Sequence, residues 1–280
     1  QSRGGSTPSW ACPGGGGAVT LLLDNVGLVD RCSAYAFVQE HHYSAVLPRI
    51  TKLCIGGWAG ERLSAVVTFG WGVRPLHTIR KAFSSLQTKA YLEIGKLCLR
   101  DECPRNSETW FLSRAIRLCH SVFPELALIW TWADGILGKP GYVYQAANFA
   151  YGGYIWTETY LDAAGIRVHP RTVQGLSRKP GAAGRGTRSA DATEAMGLTK
   201  WWGKQFRYVF PLCGKRRWRA LMHESPFDWT QPYPKDHDLC WQVQTTDGRI
   251  TAGPPPFVAG RYTKPGTQPR LDLDMAEAAA

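Results

Sequence analysis

Trp132-Ala133-Asp134 follows the hydrophobic run Leu126 to Thr131, and Gly141-Tyr142-Val143-Tyr144-Gln145-Ala146-Ala147-Asn148-Phe149 comes soon after, with Tyr151 and Tyr154 beyond. A carboxylate at the end of a strand in an α/β sheet commonly faces the ligand crevice. There Asp134 could hold an amine nucleophile or take its proton; it could equally close a turn. The tyrosines can donate a proton, stack on a base, or pack. Upstream, His41-His42-Tyr43-Ser44 supplies imidazoles that can act as base, metal ligand or helix cap. His42, Tyr43 and Asp134 together offer the mixed nitrogen and oxygen donors of an iron site.

Two further groups speak to anions. At Arg105-Asn106-Ser107-Glu108 a helix begins, with Asn106 or Ser107 as a natural N-cap. Free amides there, with the helix dipole, suit a phosphate, and Arg100 and Arg105 add charge. The second group is basic and aromatic. It comprises Arg171, Arg178, Lys179, Arg185 and Arg188, then Trp201, Trp202, Lys204 and Arg207, then Lys215, Arg216, Arg217 and Arg219. Basic side chains neutralise phosphates, and tryptophans offer stacking surface to an extruded base. The bland alternatives are a capped helix and a solvated face over core tryptophans.

The elements that must position these groups follow from pattern. Apolar residues at Phe111/Leu112, Ala115/Ile116, Leu118/Cys119 and Val122/Phe123 have the 3.6-residue period of a half-buried helix, which Pro124 ends. Strands are expected at Ala18 to Leu23, Ala90 to Leu99, Leu126 to Thr131 and Phe206 to Leu212. Hairpins are expected over Leu53 to Phe69, turning at Ala59-Gly60-Glu61, and over Tyr154 to His169. Ser33 caps a helix running to about His42, and Gly141 to about Phe149 forms a short helix. Pro75 to Lys89 reads as a connecting loop. Residues 1–17 and the basic stretch 174–191 read as flexible, and 223–280 as a largely irregular extension beyond a domain spanning 18–222. This order makes a mixed central β-sheet flanked by helices, an α/β layered fold.

Composition bounds the function. The chain has 280 residues, 44% of them hydrophobic, so it can bury a core. Its apolar runs are strand-sized, which excludes a helical membrane span. The formal charge of +11 and pI near 9.4 favour a polyanionic partner. Eight cysteines without a Cys-x-x-Cys pair read as reduced thiols of a cytoplasmic protein.

Taken together these residues resemble the phage Mom family of DNA-modification proteins, over roughly Leu21 to Leu221. The pieces are His42-Tyr43-Ser44 with Pro48; Leu97-Cys98-Leu99 with Pro104 to Glu108; Trp132 to Asp134 with Gly141 to Phe149, Tyr151 and Gly153; Gly165 to His169 with Arg171-Thr172; and Arg207 to Val209 with the basic run. The Tyr-Gln-Ala-x-Asn block is the most specific. The family is similar in fold to GNAT acyltransferases, which cradle the pyrophosphate of acyl-coenzyme A where Arg105 to Glu108 stand here. The usual glycine-rich pyrophosphate loop is absent, which puts ordinary acetyl-coenzyme A binding in doubt.

The resemblance implies a transferase that places a carbamoylmethyl (acetamido) group on the exocyclic amine of adenine in double-stranded DNA, protecting phage DNA from restriction. Simple acetyl transfer would give an amide instead, so further chemistry is needed, and iron at His42, Tyr43 and Asp134 is one route to it. Asp134 would position or deprotonate the amine, Tyr144 would donate a proton, and His42 and Tyr43 would complete the pocket. Arg105, Asn106 and Ser107 would hold an acyl-coenzyme A-type donor. A conventional GNAT N-acyltransferase and a non-catalytic DNA-binding protein on the same fold are the alternatives. Oligomeric state is left open, a homodimer included.

Overall fold

The computed structural model describes residues 20–256 apart from 45, 73, 169, 179–180 and 182–188. The order is β1 (Asn25–Leu28), α1 (Arg31–His41), β2 (Ile50–Ala59), β3 (Arg62–Trp71), α2 (Pro75–Ala82), β4 (Tyr91–Leu99), α3 (Ser107–Val122), β5 (Leu128–Asp134), α4 (Tyr142–Ala146), β6 (Ala150–Leu161), β7 (Arg167–Val168), α5 (Pro170–Leu176), α6 (Ala190–Glu194), β8 (Thr199–Pro211), α7 (Lys215–Glu224), β9 (Trp241–Thr245) and β10 (Gly248–Ala252). One mixed sheet runs β1-β2-β3-β4-β5-β8-β6-β7, and the β9–β10 hairpin joins it through β8. The expected mixed α/β class holds.

The feature that builds the site is where the sheet comes apart. β4 and β5 pair in parallel only from Tyr91 to Glu93, against Leu128 to Trp130. Beyond that point β4 stays with β3 as far as Leu99, while β5 follows β8 to Asp134. The two strands therefore part, and a cleft opens between their carboxyl ends. α3 packs beside it through Phe111, Leu112, Ala115, Ile116 and Cys119, the face its periodicity marks. A second cluster lies around Ile79, Phe83, Tyr91 and Trp130, closed by Trp218, Leu221 and Trp229.

Several elements differ from expectation, each for a local reason. The first strand is Asn25–Leu28 and does not include 20–23, because β2 offers partners only from Ile55 to Trp58; residues 18–19 of the expected strand lie outside the described residues. Asp30, not Ser33, caps α1: its carboxylate accepts from the Ser33 amide at 2.9 Å. The presumed loop after Pro75 contains α2, which starts on a proline whose fixed φ suits the first helical position and buries Ile79 and Ala82. β8 begins at Thr199 rather than Phe206, since Thr199 to Gly203 pair with β6. The stretch read as irregular after 222 carries the β9–β10 hairpin. Asn106 does stand at the head of α3, but in the left-handed region (φ 73°) with no side-chain capping bond.

Candidate functional site

Four side chains singled out in the sequence meet in the cleft between β4 and β5. His42, Tyr43, Asp134 and Tyr144 all line a cavity of about 650 Å³, with Lys96, Cys98, Arg100 and Lys139 among its other walls. Asp134 is delivered by the end of β5. His42 and Tyr43 follow the last turn of α1, where His42 is the C-cap. Tyr144 comes from α4, which begins at Gly141 in a left-handed turn (φ 97°). A Cβ there would approach the Tyr208 ring to 2.6 Å. Gly141→Ala is therefore expected to destabilise the protein by about 3 kcal/mol, from strain and overpacking together. Urea unfolding measures it, and an unchanged midpoint would contradict this account of the α4 start.

Asp134 is held on one side and free on the other. Its Oδ2 accepts from Arg167 at 3.4 Å, and the same guanidinium donates to Thr159 Oγ1 at 2.7 Å. Its Oδ1 is buried and has no hydrogen-bond partner among the described residues. A buried acceptor left open is costly, so this oxygen is ready for a donor from a ligand. Lys139 pins the strand end through its amide to Asp134 O (3.2 Å), and its ammonium lies 4.2 Å from the centre of the Tyr43 ring.

Burial sets the protonation states. His42 is pushed down to about 3 by burial and then by the Lys96 charge, so the ring is neutral. Its Nδ1 accepts from the Ser44 amide at 2.9 Å. The Tyr43 hydroxyl is pushed up by burial and by the neighbouring Asp134 carboxylate, and burial likewise raises Tyr144; both stay protonated. Lys96 is pulled down to about 8 by burial and then by Arg167, with Asp134 opposing. Its Nζ donates to Ser44 O at 3.1 Å. Cys98 is pushed up to about 12 by burial and then by Asp101, so it is a thiol.

A second cavity, about 570 Å³, adjoins the first. Its walls include Trp71, Glu93, Thr51, Thr68 and Arg167. The two cavities have Tyr43, Gly95, Lys96 and Asp134 in common. A carboxylate, a lysine and a tyrosine thus form a shared wall between two spaces of ligand-binding size.

The remaining expected residues fall elsewhere. Arg105, Asn106 and Ser107 head α3 but are not among the lining residues; Glu108, Asp101 and Arg100 are. Arg178 is exposed just past α5, and Lys215, Arg216 and Arg217 are exposed in the first turn of α7. Lys204 instead donates to Asp238 O at 2.7 Å and covers Tyr154. The Arg171 side chain, Lys179, Arg185 and Arg188 lie outside the described residues. The iron reading of His42, Tyr43 and Asp134 gains no ligand cluster. Among the described residues no group of three or more His, Cys, Asp or Glu could hold a metal, and two ammonium groups, Lys96 and Lys139, occupy the same walls. The seven described cysteines are free thiols, and among the described residues no helix is long and apolar enough to cross a membrane.

Sequence reasoning missed Lys96, Glu93, Lys139 and Arg167. Gln145, in the most specific block, is structural: its Nε2 donates to Tyr208 and to Pro234 O at 3.0 and 2.9 Å, and its Oε1 accepts from Lys235 at 3.0 Å. These bonds strap the segment before β9 over α4. Tyr142, donating to Asp236 at 3.0 Å, joins them.

Comparison with known proteins follows the same span. The Mom protein family matches residues 25–235. The methylcarbamoylase mom of Escherichia phage Mu is 28% identical over 202 residues, covering 72% of this chain and 80% of that protein. Among solved structures, a Bacillus subtilis acetyltransferase in complex with CoA aligns at a TM-score of 0.36 and 14% identity, over 68% of this chain and 97% of that one. A tandem GNAT protein from the clavulanic acid biosynthesis pathway aligns at 0.31 and 9%, over 81% and 78%. Likeness of that degree assigns no residue a role.

Proposed function

Because the chain belongs to the Mom protein family, we propose that it is a DNA-modifying transferase acting on the exocyclic amine of adenine, and that the group it installs is the carbamoylmethyl group its resemblance implies. The observation that carries this reading is the open oxygen of Asp134 on the wall between two cavities. An amine entering from one side donates to Asp134 Oδ1 and is aimed at a donor entering from the other. The 28% identical phage Mu protein is named a methylcarbamoylase, which agrees with transfer of such a group.

The steps assigned to this chain are binding, orientation and proton movement. Adenine's amine is a poor nucleophile, so its proton must leave as the carbon–nitrogen bond forms. Lys96, depressed to about 8, is the group on that wall poised to take it near neutral pH. The balance requires a donor that carries the carbamoylmethyl group through its methylene carbon. The nitrogen–methylene bond forms as the bond from that carbon to its leaving group breaks, and Tyr144, protonated and in the first cavity, supplies a hydrogen bond to the departing group. Neutral His42 and Tyr43 wall off water. A coenzyme A-type donor would lie between β4 and β5 toward the head of α3. Arg105, Asn106 and Ser107 stand there, immediately before the lining residue Glu108. The exposed cations of α7 and Arg178 are suited to duplex phosphates. The base must leave the helix stack, costing a few kcal/mol that such contacts offset.

Nucleoside mass spectrometry of DNA from cells expressing the chain tests this reading. An adenosine species heavier by one acetamido group is the expected product. Unmodified nucleosides beside folded, DNA-binding protein would refute it.

A further inference from the structure

The second cavity holds a half-buried acid that the transfer step does not use. Glu93 lies on β4, and its Oε1 is within 3.1 Å of the Tyr91 hydroxyl. That hydroxyl has one proton and a second acceptor, Pro75 O, at 2.9 Å. Glu93 also crowds Gly72, where an added Cβ would come within 2.8 Å of Oε2. Beside it stands Trp71, whose ring is fixed by its Nε1 donating to Tyr91 O at 2.9 Å and has Lys52 Nζ 4.8 Å from its centre. Both side chains line the cavity, and so do Lys96 and Asp134. An aromatic wall, a polar reader and an amine-directed carboxylate thus share one space.

We propose that this cavity receives the extruded adenine, with Trp71 as its stacking wall and Glu93 as the side chain that reads a ring nitrogen beside the amine. The inference rests on the DNA-modification reading and deepens it. Burial raises the Glu93 carboxyl from its ordinary value, against the Gly72 amide and the Tyr91 hydroxyl, which lower it. A neutral acid donates one hydrogen bond and accepts another. Adenine presents an acceptor nitrogen on either side of its amine. Thymine presents a carbonyl in place of the amine, so it cannot donate to Asp134 Oδ1. Glu93 and Trp71 are specificity residues; the reacting atoms meet Asp134 and Lys96.

The test is binding of duplexes that carry adenine, or thymine, opposite an abasic site, measured by fluorescence anisotropy with the full chain. The wild type is expected to favour the adenine duplex by about tenfold or more, the scale of one good base contact. Glu93→Gln keeps a donor and an acceptor and should keep the preference. Glu93→Leu and Trp71→Ala should lose it while retaining affinity for unbroken duplex. Trp71→Leu, which keeps apolar bulk but no ring, serves if Trp71→Ala fails to fold. Preference unchanged in Glu93→Leu and in the Trp71 variant would overturn the assignment. A wild type that modifies DNA yet shows no base preference would overturn this inference and leave the function standing. A wild type that neither binds nor modifies DNA would overturn both.

Discussion

Asp134→Ala is expected to lower the rate of DNA modification by about a thousandfold, the scale for removing one preorganised hydrogen-bonding group from an active site, with DNA affinity little changed. The reason is the division of labour between its oxygens. Oδ2 is engaged with Arg167, so truncation also removes one partner of a partly buried guanidinium, at a cost of about 2 kcal/mol of stability. Arg167 keeps its bond to Thr159, and the fold should survive. Oδ1 has no partner among the described residues, so its loss removes only what it offers a ligand. Asp134→Asn separates the two roles. The amide has one acceptor only: with its oxygen turned to Arg167 most of the stability is kept, while its Nδ2 donor then faces the ligand, so activity should fall about as far as in Asp134→Ala. The assay is product formation on duplex DNA beside thermal unfolding of each variant. Full activity in well-folded Asp134→Ala would end the assignment.

The second large effect is a pH dependence centred on Lys96. With its ammonium depressed to about 8, Lys96 is mostly protonated at pH 7 and mostly neutral at pH 9. If it accepts the amine proton, kcat/KM rises about tenfold per pH unit below 8 and levels above it. The sign for folding follows from the same shift. Between about 8 and the model-peptide value of about 10.4, the unfolded chain holds a proton that the folded chain has released. Stability contributed by this group therefore increases with pH across that window. Lys96→Arg is the discriminating variant. Guanidinium keeps the charge and can still donate to Ser44 O, but it does not deprotonate. Loss of at least a hundredfold in activity, together with loss of the rising limb, is expected. An active Lys96→Arg enzyme with an unaltered profile would reduce Lys96 to a structural anchor.

How much of this was legible in the sequence depends on what each residue's role requires. Asp134 was legible because a carboxylate at the end of a hydrophobic strand is a local signal. α3 was legible because sixteen residues keep one period. The cluster of His42 and Tyr43 with Asp134 and Tyr144 was reached through resemblance rather than pattern. Glu93 and Lys96 were hidden in Tyr-Leu-Glu-Ile-Gly-Lys-Leu-Cys-Leu, which reads as an ordinary buried strand. Their importance arises only because β4 and β5 separate after Glu93, and no short-range pattern encodes where two strands part. Arg167 is similar: it matters because the two-residue β7 pairs back on β6 and carries it to Asp134. α2 escaped because its eight residues are too few to show a clear period in a stretch dense in basic residues and histidines. The β9–β10 hairpin escaped because its stability comes from β8, not from its own polar sequence.

The shared wall of Tyr43, Gly95, Lys96 and Asp134 has a kinetic meaning. Each cavity is otherwise lined by its own residues, so neither reactant need vacate its place for the other to arrive. Initial-rate plots with both substrates varied should then give intersecting lines, the pattern of a ternary complex. Parallel lines, the sign of a group parked on the protein between two visits, would need a thiolate that the cleft does not offer: both thiols on its walls, Cys98 and Cys103, are pushed up by burial and stay protonated.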